Sequence, residues 1–149
     1  MGGGFSDGSY GYLAPNLNGE VARFRLDVFN QVQVLDLTAT DADLNGFQQG
    51  FSDGSYGYLA PNHNGARFGK VAQFSRGVVS QVQVLDFTTT KPTLKGFMGA
   101  SALGHGYLAP NINGAHLARW HSSGPLNQGC QATWCFLLRS ACARLMLFA

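Results

Sequence analysis

A chain of 149 residues can hold one domain with a real core and is too short for two comfortable ones. Charged residues make up 12%, about half the usual share, while twenty glycines and eleven phenylalanines stand where a helical protein would carry Lys, Glu and Leu. That composition belongs to turns and strands, and a formal net charge of +2 is too small to argue for nucleic acid.

The chain opens on Met1-Gly2-Gly3-Gly4-Phe5-Ser6, which fits a myristoylation pattern. The same Gly-Phe-Ser recurs inside the chain as Gly50-Phe51-Ser52, so an internal repeat explains it better than acylation. The charged and apolar regions of a signal peptide are not seen, and nothing in the letters gives a cellular address.

Residues 4–16 read GFSDGSYGYLAPN, and residues 50–62 repeat those letters without change. An eroded third copy runs from Ala100 to Asn111 as ASALGHGYLAPN. VARF at Val21–Phe24 returns as VAQF at Val71–Phe74 and LARW at Leu117–Trp120. QVQVLD occurs at Gln31–Asp36 and Gln81–Asp86, and LNGF at Leu44–Phe47 matches LKGF at Leu94–Phe97. Tyr12 to Tyr58 is 46 residues and Tyr58 to Tyr107 is 49, a spacing that points first to propellers and related arrays. The repeats span about 4–49, 50–99 and a truncated 100–120, and the segment 121–149 is an unrelated tail.

Within a repeat, Tyr10–Ala14 is an aromatic strand ending at Pro15, where the ladder loses a donor. Asn18-Gly19, Asn64-Gly65 and Asn113-Gly114 follow at matching places, and Asn-Gly predicts a tight type I′ hairpin. Val21–Leu26 alternates, with Ala22, Phe24 and Leu26 on one face and Val21, Arg23 and Arg25 on the other. Val32–Leu37 is the next strand, with Val32 and Val34 opposed to Leu35 and Leu37. Leu44–Phe51 begins the following unit, and Asp7-Gly8 and Asp53-Gly54 turn into the tyrosine strands. That makes four short strands per repeat, with apolar residues on both faces, as expected of a sheet covered on both sides.

This pattern resembles the tandem repeats of uncharacterised microalgal proteins associated with β-propellers and, more loosely, NHL, YVTN and kelch blades. The resemblance covers about residues 4–120 and implies a fold without an activity; the kelch double glycine and the WD dipeptide are absent. The expected architecture is all-β, an incomplete propeller-like array of about two and a half four-stranded blades. A β-trefoil is the competing fold, but it needs three complete copies. Closed propellers take 4–8 blades, so the chain is expected to be a fragment, an imperfect product, or one part of a ring completed by other copies.

The tail changes character. All eight Asp and Glu lie at or before Asp86, and the three cysteines Cys130, Cys135 and Cys142 fall within the last twenty residues. Trp134, Leu137, Leu138, Ala141, Leu145 and Phe148 recur at helical spacing, which predicts a helix over Thr133–Ala149, short of a membrane span.

Candidate chemistry is sparse. His105, His116, His121, Cys130 and Cys135 fit no zinc-finger order, and one Asp per Ser-Asp-Gly-Ser turn is too few oxygens for calcium. The better acidic pair, Asp41 and Asp43, is replaced by Lys91-Pro92-Thr93 in the second repeat. There is no nucleophile elbow, P-loop or H-E-x-x-H, and Asp36 and Asp86 read as strand-end residues bonding a turn. No catalytic residue, metal ligand or cofactor is expected. Tyr10, Tyr12, Tyr56, Tyr58 and Tyr107 are the candidate binding residues, an aromatic arc of the kind that stacks on sugars or packs on protein; the competing reading makes them the layer between blades. The function expected is interaction or scaffolding, through a protein partner or self-association of open blade faces, without nucleic acid or a membrane span. A fragment of a propeller enzyme, or a sugar-binding trefoil-like module, is the alternative.

Overall fold

The structure, a computed structural model, describes residues 2–77, 81–102, 105–111 and 118–121. The expected C-terminal helix, the cysteines and His116 lie outside the described residues. Among the described residues, the regular structure is antiparallel β apart from a 3-10 turn at Phe87–Thr89. Strands β1 (Gly4–Ser6), β2 (Tyr10–Leu13), β3 (Glu20–Arg25) and β4 (Val32–Asp36) form a four-stranded meander in chain order. A second meander repeats it with β5 (Phe47–Ser52), β6 (Tyr56–Pro61), β7 (Lys70–Ser75) and β8 (Val82–Asp86). A third sheet contains β9 (Phe97–Ala102), β10 (His105–Pro110) and β11 (Ala118–His121). None of the three closes on itself.

Registers repeat with the sequence. Tyr12 lies opposite Arg23, Tyr58 opposite Gln73, and Tyr107 opposite residue 119. The first strands lie together, with β5 against both β1 and β9, while β4 and β8 are the far edges.

The sheets stack face against face, and two seams make the core. The first buries Tyr12, Val21 and Leu35 of the first sheet against Leu59, Ala72 and Phe74 of the second. The second buries Tyr58 and Val71 against Leu108 of the third sheet, together with Phe87, Leu94 and Phe97. Each fully buried side chain of this size contributes roughly 1.5–3 kcal/mol of transfer free energy. Alternation along the strands of the second sheet sends successive residues to opposite seams, which explains why both of its faces carry apolar letters.

Glycines set how closely the sheets approach. The Phe5 ring stacks on Tyr12 at 4.9 Å and lies across β5 at Gly50, where an added Cβ would come within 2.5 Å of it. Gly57, between Tyr56 and Tyr58, leaves room for the Phe74 ring, which a Cβ would meet at 2.4 Å, although the usual strand residue has a side chain there.

Two local expectations need correction. Asn18-Gly19 is not a two-residue hairpin, because pairing of β2 with β3 ends at Leu13–Ala22 and the loop between them is longer. Gly19 has φ +71°, and a Cβ there would meet the Thr38 methyl and the Leu44 carbonyl, so its neighbours from the sheet exit, not hairpin twist, select glycine. The counterpart of Gly19 is also Gly69 rather than Gly65: Leu37 N–H donates to the Gly19 carbonyl, and Phe87 N–H to that of Gly69. The inserted Phe68 packs edge-on against Phe47 at 5.4 Å. Second, β5 begins at Phe47 rather than Leu44, because Gly46, at φ +78°, breaks the extended run and its carbonyl accepts from Asn62 and His63 N–H. Leu44 is fully buried, but from a loop.

Candidate functional site

The recurring polar feature starts with a turn. Asp7 follows β1, and its Oδ1 accepts from Ser9 N–H at 2.9 Å and Tyr10 N–H at 2.8 Å, an Asx arrangement that aims the chain into β2. The other carboxylate oxygen accepts from the Tyr12 hydroxyl at 2.7 Å. Arg76, from the second sheet, brings Nε to 2.5 Å from that same Oδ2, as an ion pair without a linear hydrogen bond. The Asp7 side chain has no exposed surface. Arg23 closes the group: its Nη1 donates to the Arg76 carbonyl at 2.5 Å, and its guanidinium lies 4.2 Å from the centre of the Tyr10 ring.

These contacts fix the protonation states. Burial alone would raise the Asp7 pKa, but hydrogen bonds from Tyr12, Tyr10 and Ser9 and the charge of Arg76 hold it below the ordinary carboxylate value. Tyr12 is pushed up to about 12, first by burial and then by its bond to Asp7. At neutral pH the carboxylate is ionised and the phenol keeps its proton. The group is a latch between two sheets.

The second repeat builds the same turn with different ends. Asp53 accepts from Ser55 and Tyr56 N–H at 2.9 and 2.8 Å and from the Tyr58 hydroxyl at 2.8 Å. Gln73 stands in place of Arg23 and donates to the Tyr58 oxygen at 3.0 Å, leaving its own buried Oε1 without a hydrogen-bond partner. Burial first, and the bond to Asp53 next, raise the Tyr58 pKa strongly.

Of the five tyrosines, Tyr12 and Tyr58 are each 1% exposed, with their hydroxyls engaged by aspartates, so neither offers a ring face to solvent. Tyr10, Tyr56 and Tyr107 are half-buried. The five do not line one surface: Tyr10 and Tyr12 belong to the first seam, and Tyr56 and Tyr58 to the second.

The other acids are occupied as well. Asp36 accepts from Thr38 N–H and Oγ1 at 2.9 and 2.5 Å, and Asp86 repeats this with Thr88 at 2.9 and 2.6 Å. Asp41 and Asp43 share Lys70, at 2.8 and 2.7 Å, across the first seam. Those bonds lower the Asp41 pKa and raise that of Lys70. A polar hollow at Gly8, Ser9 and Tyr10 is flanked by Arg25 and Asp27, which pair with each other. Among the described residues, no three His, Cys, Asp or Glu side chains gather as a metal site, and no helix is long and apolar enough to cross a membrane.

Sequence reasoning missed Arg76 and Lys70, the cations that tie the sheets. Their signal was present as departures from the repeat, since Arg76 replaces Leu26 and Lys70 replaces Glu20.

The remaining feature is apolar. The outer face of the first sheet carries Leu13, Ala22, Phe24 and Val32, which with Phe29 line an open hollow of about 420 Å³. Val32 is 65% exposed, Val34 61% and Phe29 82%. No protein-family model, curated protein or solved structure matches this chain.

Proposed function

We propose that this chain is a non-enzymatic interaction or scaffold protein, and that its repeats act as blades of an incomplete propeller-like array. Four-stranded meanders stacked face to face, with their first strands adjacent, support the blade reading. The observation that carries the function is the open face of the first sheet, because contiguous exposed apolar surface of this kind marks a protein contact site. The Tyr-Asp groups support it by their employment: their polar atoms hold turns and seams together and face no cleft.

A dye that fluoresces on apolar surface tests the reading in dilute protein. The native chain is expected to bind it, and Phe29→Ser with Val32→Ser to bind much less at unchanged near-ultraviolet circular dichroism. Native protein that binds no dye, or a double variant that binds as much, overturns the proposed contact face.

A further inference from the structure

The Asn-Gly pairs are alike in sequence, and the fold gives them different surroundings. Gly19 is buried, walled in by the Thr38 methyl and the Leu44 carbonyl. In the second repeat the insertion Ala66–Gly69 hands that place to Gly69, whose carbonyl accepts from Phe87 N–H as that of Gly19 accepts from Leu37 N–H. Gly65 is thereby released from structural duty. It stands exposed at φ +103°, and an added Cβ would meet nothing within 4 Å. The chain on either side is held, since His63 bridges to Arg67 and its N–H donates to the Gly46 carbonyl at 3.0 Å. Asn113-Gly114 lies outside the described residues.

The residue before the pair differs too. It is Leu17 in the first copy and Ile112 in the third, but His63 in the second. His63 Nδ1 accepts from Gly65 N–H over 3.4 Å, a long contact. This sets a base on the backbone nitrogen that must lose its proton before it can attack the neighbouring side-chain amide.

We propose that Asn64 is a site of self-modification, at which the Gly65 nitrogen displaces the side-chain amide with His63 as base. The Gly65 N–H proton passes to His63 Nδ1, and a bond forms from the Gly65 nitrogen to Asn64 Cγ. The Cγ–Nδ2 bond breaks, and Nδ2 leaves as ammonia with the proton returned by the imidazole. Water then opens the cyclic imide, at one carbonyl to aspartate and at the other to isoaspartate. Water is the sole co-reactant. Closing the imide requires the peptide to swing, which a glycine without side chain or close neighbours permits.

The product bears on the seam. Asn64 Nδ2 donates to the Asp43 carbonyl at 2.9 Å, tying the loop after β6 to the loop after β4. The carboxylate of the same Asp43 pairs with Lys70 across the seam. A carboxylate at position 64 has no proton to offer that carbonyl, so the modification unties the two loops. Asn18, in contrast, donates to Glu20 two residues along and ties nothing distant.

Ageing the whole chain in neutral buffer and mapping its peptides by mass reads each pair separately, as the gain from exchanging an amide for a hydroxyl. In the folded chain Asn64 is expected to convert about tenfold faster than Asn18 or more. In urea, where both sites lose their surroundings, that gap is expected to close. His63→Leu, which installs the first copy's residue type, is expected to slow conversion of Asn64 by about tenfold and to leave Asn18 unchanged. Aged native protein is expected to unfold at a lower urea midpoint than fresh protein, while Asn64→Gln keeps its midpoint on ageing. Equal rates at Asn64 and Asn18 in the folded chain, or a gap that persists in urea, overturn the site. A His63→Leu rate equal to the native one overturns the base. Complete conversion of Asn64 with no change in midpoint overturns the untying of the loops.

Discussion

The first and second repeats share thirteen consecutive identical residues, and the fold treats them differently. Phe74 is sealed in a seam, whereas Phe24, at the same register position, is half-buried on an open face beside the exposed Phe29. Asp7 meets a cation from the neighbouring sheet, whereas for Asp53 no ion pair occurs among the described residues. Opposite the paired tyrosines, Arg23 holds the Arg76 carbonyl and Gln73 holds only the phenol oxygen. Place in the stack, rather than local sequence, decides what each side chain is worth.

The largest expected contrast is between the two phenylalanines. Phe74→Ala should cost about 3–5 kcal/mol in urea unfolding, because it empties the centre of the first seam. Phe24→Ala should cost about 1 kcal/mol or less, because its ring is already half in water. Equal losses would mean that the open face is covered in solution. Next comes the latch. Asp7→Asn removes the ion partner of Arg76, which keeps only its bond to the Gly54 carbonyl, and should cost about 2–3 kcal/mol, while Asp53→Asn should cost about 1, since it weakens hydrogen bonds without removing an ion pair among the described residues.

The latch also has a pH signature. The Asp7 pKa is lower in the folded chain than its ordinary value of 3.8, so its contribution is complete above that value and fades as the pH falls through the folded one. Acid titration of stability should therefore be shallower below about pH 4 in Asp7→Asn than in the native chain. The smallest effect belongs to Lys70. Its ion pairs with Asp41 and Asp43 are partly exposed, so Lys70→Met should change stability by about 0.5 kcal/mol or less, and moderate salt should erase the difference.

Strand identity was legible because period-two alternation is a local property: Tyr10–Leu13, Glu20–Arg25 and Val32–Asp36 fall within a residue of where the letters put them. So was the Asp-Gly turn, whose chemistry is complete within four residues. The Asn-Gly hairpin was misread because glycine at position 19 answers to Thr38 and Leu44, about twenty residues away. The start of β5 was misplaced because a buried leucine on a loop looks, in sequence, like a buried leucine on a strand. The latch was illegible for a different reason. Its two halves come from different repeats, and its cation, Arg76, stands where the repeats differ, as does Lys70 in the neighbouring ion pairs.

The unlike faces of each sheet have an evolutionary consequence. A module whose front fits the back of its own duplicate gains a ready-made neighbour whenever its coding segment is copied in tandem. Lengthening then requires no invention at the junction, and later drift has only to retune individual joints, as an arginine at position 76 does against an inherited aspartate.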